Sequence, residues 1–456
     1  MSTTRYDPVA PPGGSDVIGP EVPIAQAPEH ASAEPQVRAT QAWSPSKRIA
    51  FRFAFAYFTL TIFPSPLGII PGLSKPVAAY FNVQQPVIRW VASHVFHLSQ
   101  TVSRTNQGSG DKTYDYVHLF CVVVLAAIAV LVWSILDRRR NHYEGLFGFL
   151  RIYVRYYLAC TMISYGLSKV FQLQFGPPGM WRLVQPYGES SPMGLLWTFM
   201  GASGPYSVFG GLAEFIPGLL LFFRRTTTLG ALMLTVVLIN IVMLNFCYDV
   251  PVKIYSCNLL LMTLFLLLPE RRRLANVLIW NRQTEPVNIA WAPADRRIRV
   301  AGVVVKVAFI GLVLFHYTNS WITRAKAVKL AMAPTPPYGT YDVEEFIKNG
   351  EAALTASAVP KYWRRVALST GGLAVRTVDD SVQNLKMQHD AATKKFTSPE
   401  NPKSVLTYVQ PDEGHLVLEG TVLQDSVKVR LRKIERSNFL LVNRGFHWIN
   451  EVPYNK

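Results

Sequence analysis

Long apolar segments constrain this chain more than any other feature of its sequence. A helix needs about 20 apolar residues to cross the roughly 30 Å hydrocarbon core of a bilayer. Half of the 456 residues are hydrophobic and only 16% are charged. Their distribution predicts an α-helical polytopic membrane protein with about seven spans, the apolar segments lying at about 48–68, 115–136, 146–171, 207–223, 227–246, 254–268 and 300–319.

The basic residues lie in clusters between these segments. A formal net charge of +17 could indicate a nucleic-acid-binding protein. The clusters, however, fall on one side of a seven-span arrangement, as the positive-inside rule requires, although Arg324, Lys326 and Lys329 oppose it. We expect a multi-pass protein of the bacterial inner (plasma) membrane, with no nucleic-acid partner, a cytoplasmic amino terminus and an extracytoplasmic carboxy-terminal domain. The clusters are Lys47 and Arg48, Arg138 to Arg140, Arg224 and Arg225, Arg271 to Arg273, and Arg296, Arg297 and Arg299.

Composition divides the chain into three parts. Residues 1–46 are rich in Pro, Ala, Val and Glu without apolar periodicity, which predicts a disordered tail rather than a signal peptide. A helix bundle is predicted over 47–330, with external loops at 70–112 and 176–205. Short alternating runs such as SVKVRLRKI predict an antiparallel β domain, a small barrel or a sandwich, over 338–456. Near its end we expect His447 and Trp448 to belong to an aromatic plug of the barrel.

Metal and disulfide chemistry find little support in the sequence. His94 and His97 lie three residues apart, but no nearby carboxylate or cysteine completes a ligand set, so we predict no metal site. Their segment, VIRWVASHVFHLSQ, favours an interfacial helix anchored by Trp90. Of the four cysteines, Cys247 and Cys257 flank one external turn, and the sequence leaves open whether they form a disulfide or remain thiols.

Polar side chains interrupt the apolar segments at two depths. Arg155 lies too far inside the third segment to reach water easily, so it should face the bundle and meet an acid or a carbonyl group. Lys169 follows 14 residues later, close to the same helix face. In the fourth segment Gly210, Glu214 and Gly218 share one face, which predicts a close helix contact around Glu214.

The same polar residues predict an outward-facing pocket. Helical rise places Asn240 about as far from the outer end of its segment as Glu214 is in the preceding one, so we expect the two side chains to meet. The loop 176–205 and the β domain would form the roof. Candidate pocket residues are Arg155, Lys169, Arg182, Gln185, Tyr187, Glu214, Asn240, Asn245, Asp249 and Lys253.

The motifs GLSKVFQLQF, GGLAEFIPGLLLFFRRTTTLGALM and NFCYDVPVKIYS, in this order, resemble the DoxX-like family of integral membrane proteins. The resemblance covers residues 146–275 approximately, with the terminal β domain as an addition. It implies association with respiratory or sulfur redox complexes and with quinones. The membrane half and external β domain also resemble vitamin K-dependent carboxylase-like proteins, which would imply quinol-driven chemistry at a reactive lysine, Lys169 or Lys253.

Three functional hypotheses follow. The first is a quinone- or lipid-associated component of a membrane redox system, with the bilayer and membrane redox subunits as partners. The second is a non-catalytic assembly protein whose buried polar residues lock the helices together. The third is a quinol-linked carboxylase-like enzyme. The sequence leaves open whether the protein is catalytic. A transporter is disfavoured because no inverted repeat is visible.

Overall fold

A computed structural model describes residues 42–99, 102–104, 108–284, 295–331, 337–352, 362–369 and 372–454. Residues 1–41, most of the predicted tail, lie outside these ranges. All seven predicted apolar segments are helical. The helices are α1 Pro45–Ile62, α2 Ser74–His94, α3 Thr113–Leu136, α4 Glu144–Val170, α5 Met180–Val184, α6 Pro192–Ala202, α7 Gly204–Leu221, α8 Thr227–Cys247, α9 Lys253–Leu267, α10 Arg271–Leu278, α11 Arg296–Ala331 and α12 Leu440–Asn443.

The predicted number of spans, about seven, is wrong. In the described ranges five helical stretches are long and apolar enough to cross a membrane: Thr113–Leu136, Glu144–Val170, Arg224–Cys247, Lys253–Leu278 and Arg296–Leu330. Helix α1 falls short because its 18 residues include Lys47, Arg48 and Arg52. Helix α7 falls short because its 18 residues include Glu214, four glycines and two prolines. Neighbouring helices cover Arg52 of α1 and Glu214 of α7, whereas Lys47 is exposed.

Helix α4 is the centre of the bundle and packs most closely against α7. Gly166 and Gly211 face each other across this contact: a Cβ atom on Gly166 would lie 2.7 Å from the Gly211 carbonyl oxygen, and one on Gly211 would lie 2.6 Å from that of Gly166. Gly218 also faces α4, since a Cβ atom on Gly218 would lie 3.0 Å from the Met162 Cβ. Of the three residues predicted to share this face, Glu214 and Gly218 contact α4, whereas a Cβ atom on Gly210 would meet only Met200 of α6, at 3.6 Å.

The basic turns between the helices lie at one end of the bundle. The buried Arg52 guanidinium donates to the Tyr143 hydroxyl (2.6 and 3.0 Å) and to the Asp137 carbonyl oxygen (3.1 Å). These contacts join the start of α1 to the end of α3 and the start of α4. At the same end Glu270, after α9, lies 4.0 Å from the Arg151 guanidinium of α4. We call this the basic end.

The opposite end joins the end of α8 and the start of α9 to the segment before α3. Asp111 accepts hydrogen bonds from the backbone N–H groups of Lys253 (2.7 Å) and Ile254 (3.0 Å), which caps α9. Helix α2 lies beside α3 through Ile88 and Ala92, which pack near Tyr114. Trp90 is exposed on the other face of α2.

The carboxy-terminal part is one antiparallel sheet with the order β5-β4-β3-β1-β10-β9-β8-β7-β6, and β2 pairs with β1. Its edge strands β5 and β6 are separated only by Met387, so the sheet curls into a nearly closed barrel. The strands are β1 Gly339–Lys348, β2 Glu351–Ala352, β3 Trp363–Ser369, β4 Gly372–Thr377, β5 Val382–Lys386, β6 Gln388–Asp390, β7 Lys395–Thr397, β8 Val405–Asp412, β9 His415–Val422 and β10 Asp425–Ile434.

The barrel interior is filled by strand residues. In β10, Val427, Val429 and Leu431 are buried, whereas the intervening basic residues are exposed, as the alternation predicts. Phe396 is fully buried. The expected plug is wrong: Trp448 is 91% exposed. It follows the last strand, and the interior is already occupied by side chains from the strands.

Helix α5, in the predicted external loop, connects the bundle to the barrel. Val184 is buried against Ala367 of β3 and Ala374 of β4. The Thr340 hydroxyl of β1 lies 3.0 Å from the Met180 sulfur. Arg436, beyond β10, donates to the carbonyl oxygen of Pro178 (2.8 Å). The loop therefore holds the barrel at the end opposite the basic turns.

Candidate functional site

Lys169 of α4 and Glu214 of α7 form a buried ion pair. The ammonium Nζ lies 2.8 Å from one carboxylate oxygen of Glu214 and 3.0 Å from the other. Both residues are more than nine-tenths buried. Glycine packing brings the two helices close enough for this contact, since a Cβ atom on Gly211 would lie 3.0 Å from the Lys169 Cβ.

Aromatic rings enclose the ammonium group. Its Nζ lies 5.7 Å from the ring centre of Tyr165 and 5.8 Å from that of Phe175. Phe175 packs edge-on against Trp197 of α6, with ring centres 5.1 Å apart. Rings at these distances attract a cation electrostatically. The pair is therefore closed toward the outer end by the segment after α4 and by α6.

The turn that places Phe175 follows directly from the end of α4. The chain reverses at Gln172, whose φ of 54° lies in the left-handed region. The N–H groups of Leu173 and Gln174 then donate to the Ser168 carbonyl oxygen (2.8 and 3.1 Å). This closure of the helix terminus brings Phe175 back over Lys169.

Asn240 does not join the ion pair. It is exposed, whereas the buried side of α8 carries Ala231, Leu234 and Leu238. Two residues beyond Leu238, Asn240 lies about 200° away around the helix and so on the opposite face. Equal depth was predicted from helical rise, but contact also requires the correct face of the helix.

Arg155 lies near the basic end, away from Lys169. Its Nη1 donates to the Thr227 hydroxyl (3.3 Å) at the start of α8. The expected acid or carbonyl partner is thus replaced by a hydroxyl group. Because Thr227 begins α8, Arg155 stands at the level of the α7–α8 turn, and counting from the start of α4 placed it too deep.

The three candidates of the external loop belong to α5 and the turn after it. Arg182 donates to the Gln185 side-chain oxygen (2.6 Å), and its guanidinium packs on Gly194 of α6. The Gln185 amide donates to the carbonyl oxygen of Glu189 (3.1 Å). Tyr187 is 78% exposed. These side chains stabilise the loop and do not reach the Lys169–Glu214 pair.

The last three candidates surround the start of α9. Asn245 is buried and donates to the Ser256 hydroxyl (2.9 Å). The Lys253 ammonium lies 2.9 Å from an exposed Asp249 oxygen and 3.9 Å from Asp111. Asp111 is a residue that sequence reasoning missed, because its contact with Lys253 spans 142 positions. Nothing local in the sequence marks it.

A row of three tyrosines leads from the ion pair into the bundle. Sequence reasoning did not predict this row. The rings of Tyr165 and Tyr255 lie 6.1 Å apart. The Tyr255 and Tyr157 hydroxyl oxygens are 3.2 Å apart. One signal was available, since Tyr165 precedes Lys169 by four residues and so lies one helical turn below it.

The candidates thus form separate groups rather than one open pocket. The groups are the sealed Lys169–Glu214 pair, Arg155 at the basic end, the Arg182 loop and the Lys253 turn. Across the described ranges, no group of three or more His, Cys, Asp or Glu side chains could hold a metal ion. Cys247 and Cys257 are exposed free thiols. The enclosed pair can hold charge and fix two helices, and its neighbours include hydroxyl groups suited to proton exchange.

Comparison with known proteins gives one curated relative. It is the uncharacterized protein YwoB of Bacillus subtilis (strain 168), which is 36% identical over 126 residues. The match covers 27% of this chain and 78% of YwoB. No protein family model matches the chain, and no solved structure matches it. Because YwoB is itself uncharacterized, the match establishes a relationship and no activity.

Proposed function

The chain belongs to the same protein family as YwoB, and we propose that it is a membrane assembly protein. In this proposal the Lys169–Glu214 pair locks α4 to α7, and the locked bundle holds the β barrel outside the cytoplasm. The observation that carries the proposal is the double contact of Lys169 with both Glu214 oxygens inside a glycine-packed helix interface.

Exposed apolar surface supports membrane insertion. Helix α3 exposes Leu125, Ile128 and Leu131, and α11 exposes Val303 and Val307. These residues lie on helices long enough to cross a bilayer. Water-soluble proteins rarely expose apolar surface this extensive, whereas a hydrocarbon environment covers it without cost.

The partition of charge supports an orientation. The basic turns lie at one end of the bundle, and α5 with the barrel lies at the other. Basic residues concentrate on the cytoplasmic side of inner-membrane proteins. We therefore place the barrel, the Asp111 turn and α5 on the extracytoplasmic side.

A structural role in holding α4 against α7 explains why the Lys169–Glu214 pair is buried. Within a bilayer, a lone lysine or glutamate is costly, and each removes that cost from the other only while α4 and α7 stay in contact. Lys169 is more than nine-tenths buried, and the rings of Tyr165 and Phe175 lie 5.7 and 5.8 Å from its ammonium group. Enclosure of this kind favours a structural role over substrate binding.

A double-substitution experiment tests the lock. Removing one partner, by Glu214→Leu or Lys169→Met, should destabilise the protein by about 3–5 kcal/mol because the other charge stays buried. The combined Lys169→Met, Glu214→Leu variant should regain most of that loss. Thermal unfolding in mild detergent and the amount of protein in membranes measure the effect. Additive destabilisation in the combined variant would refute the lock.

The redox hypothesis remains a second candidate, carried by the tyrosine row. Tyr165, Tyr255 and Tyr157 place hydroxyl groups between the ion pair and the middle of the bundle. In the DoxX-like resemblance, such a row would pass protons for a quinone-linked reaction. Under this hypothesis Glu214→Gln accumulates normally but loses co-purifying quinone, measured by mass spectrometry, whereas the lock predicts loss of the folded protein. The carboxylase-like hypothesis has less support, because Lys169 is occupied by Glu214.

A further inference from the structure

The basic end contains an arginine that the proposed lock does not use. Arg155 is 8% exposed; its Nη1 donates to the Thr227 hydroxyl (3.3 Å), and its guanidinium lies 5.3 Å from the Tyr156 ring centre. Its buried Nε finds no hydrogen-bond partner among the described residues. A buried donor without an acceptor is costly, so this N–H calls for an acceptor from outside the chain.

Two more cations converge on the same place from other elements. Arg224 belongs to the α7–α8 turn, and Lys306 belongs to α11. The positive charges of Arg155, Arg224 and Lys306 repel one another. Contacts fix their common location: the Lys306 ammonium lies 4.9 Å from the Phe223 ring centre, and the Thr227 hydroxyl donates to the Phe223 carbonyl oxygen (2.9 Å).

Glu270, a buried acid at this end, lies beside arginines other than Arg155. Glu270 is buried and lies 4.0 Å from Arg151 and 3.7 Å from Arg273. No ion pair joins Glu270 to Arg155 or Lys306 in the described part of the chain. Glu270 is thus engaged by Arg151 and Arg273 rather than by Arg155 or Lys306.

Arg155, Arg224 and Lys306 are also less exposed than several other basic residues at this end of the bundle. Arg225, next to Arg224, is exposed, as are Arg138 to Arg140. Arg224 and Lys306 are half-buried and Arg155 is buried, and they lie where α4, the α7–α8 turn and α11 meet. Tyr156 of α4 and Phe309 of α11 contact each other beside them, with ring centres 5.6 Å apart.

We propose that Arg155, Arg224, Lys306 and Thr227 bind the phosphate of an anionic phospholipid from the inner leaflet. Guanidinium and ammonium groups beside a hydroxyl suit phosphate oxygens, and basic recesses between helices on the cytoplasmic side are suited to anionic headgroups. The lipid tails would lie along the exposed apolar face of α11, which includes Val303 and Val307. This inference rests on the membrane location proposed above and not on the lock.

Lipid retention in a defined bilayer tests the site. The full chain is placed in nanodiscs of phosphatidylcholine with phosphatidylglycerol, released into mild detergent and examined by native mass spectrometry. The unmodified protein should retain phosphatidylglycerol over phosphatidylcholine. Arg224→Gln and Lys306→Gln should each lower that retention about fivefold, since one basic residue near an anionic surface contributes roughly that factor.

Matched controls separate this site from general surface charge. Arg225→Gln and Arg299→Gln remove exposed charges from the same turn and the same helix, and should leave retention unchanged. An equal loss in all four variants would overturn the site. Equal retention of the two lipids by the unmodified protein would also overturn it.

Two further measurements identify the source of the phosphate and test the membrane location separately from the lipid site. Millimolar inorganic phosphate should not displace the bound lipid; full displacement would show a soluble-phosphate site and overturn the lipid proposal. Failure of the chain to enter nanodiscs would refute the membrane location instead. The combined Lys169→Met, Glu214→Leu variant lies near the other end, so its lipid retention should match that of the unmodified protein whether or not the lock holds.

Discussion

At the scale of single residues, position around a helix decides which polar groups meet. Lys169 and Glu214 were both expected in one site and are in contact. Asn240 was expected there too, and faces away on α8. Helical rise along the axis can be counted from the sequence, whereas the face that each helix turns toward its neighbour depends on packing over the whole bundle.

For Arg155, too, the sequence predicts one property of the side chain but not the residue that it contacts. Its burial follows from the sequence, since an arginine inside an apolar segment must avoid lipid. Its partner does not follow, because Thr227 comes from a turn 72 positions away. The predicted acid or carbonyl group was a general expectation for a buried cation, and the fold supplies a hydroxyl instead.

His389 gives the barrel a predicted response to pH. Its ring lies between the hydroxyl groups of Tyr338 (3.0 Å) and Tyr408 (3.2 Å) and stacks on Phe396. Partial burial lowers the pKa of His389 below its ordinary value. The folded state therefore favours neutral histidine, and this contribution to stability is complete above about pH 6.5 and is lost as the pH falls through the folded pKa.

Thermal unfolding between pH 7.5 and 5.5 checks this response. The midpoint of the unmodified protein should fall more steeply with acidification than that of His389→Phe, which has no titrating ring at this position. His447→Phe serves as the control, because His447 is exposed beyond the last strand. Identical slopes for the unmodified protein and His389→Phe would contradict the predicted role of His389.

At the scale of elements, one glycine position sets the distance between α4 and α7. Gly211→Ala would push a Cβ atom to 2.6 Å from the Gly166 carbonyl oxygen, a backbone atom that cannot move alone. We expect a loss of about 1–3 kcal/mol, the usual cost of overpacking, and a weakened Lys169–Glu214 contact. Unfolding in mild detergent measures the loss.

Gly210→Ala is the matched control for this prediction. Its Cβ would meet only the end of the Met200 side chain at 3.6 Å, an ordinary contact, and alanine is a better helix former than glycine. Its stability should equal or exceed that of the unmodified protein. A larger loss at Gly210 than at Gly211 would place the helix contact on the face that the sequence pattern suggested.

Gly210 and Gly211 also show which features of a helix contact can be predicted from the sequence. The spacing of small residues around Glu214 correctly indicated a helix contact at α7. It could not choose between Gly210 and Gly211, since both lie within half a turn of the same face. The choice depends on Gly166 of α4, which the sequence of α7 does not contain.

At the scale of the whole molecule, periodicity identified the helices and the strands but not their assembly. The period-two pattern in β10 predicted its buried side chains correctly. Closure of the barrel depends on the pairing of the distant strands β1 and β10 and on the short link at Met387 between β5 and β6. Fewer helices are long and apolar enough to cross a membrane than was predicted, because α1 and α7 are short and carry charged residues.

The separation of basic turns from the barrel predicts the orientation of the molecule in a cell. We expect Glu413→Cys, in the exposed β8–β9 turn, to react with a membrane-impermeant maleimide on intact cells. Arg139→Cys, in the exposed turn after α3, should react only after the cells are permeabilised, because positive residues stay on the cytoplasmic side. The four native cysteines are replaced by serine in both variants, so that each carries one thiol. Labelling of Arg139→Cys on intact cells with protection of Glu413→Cys would reverse the orientation and move the barrel into the cytoplasm.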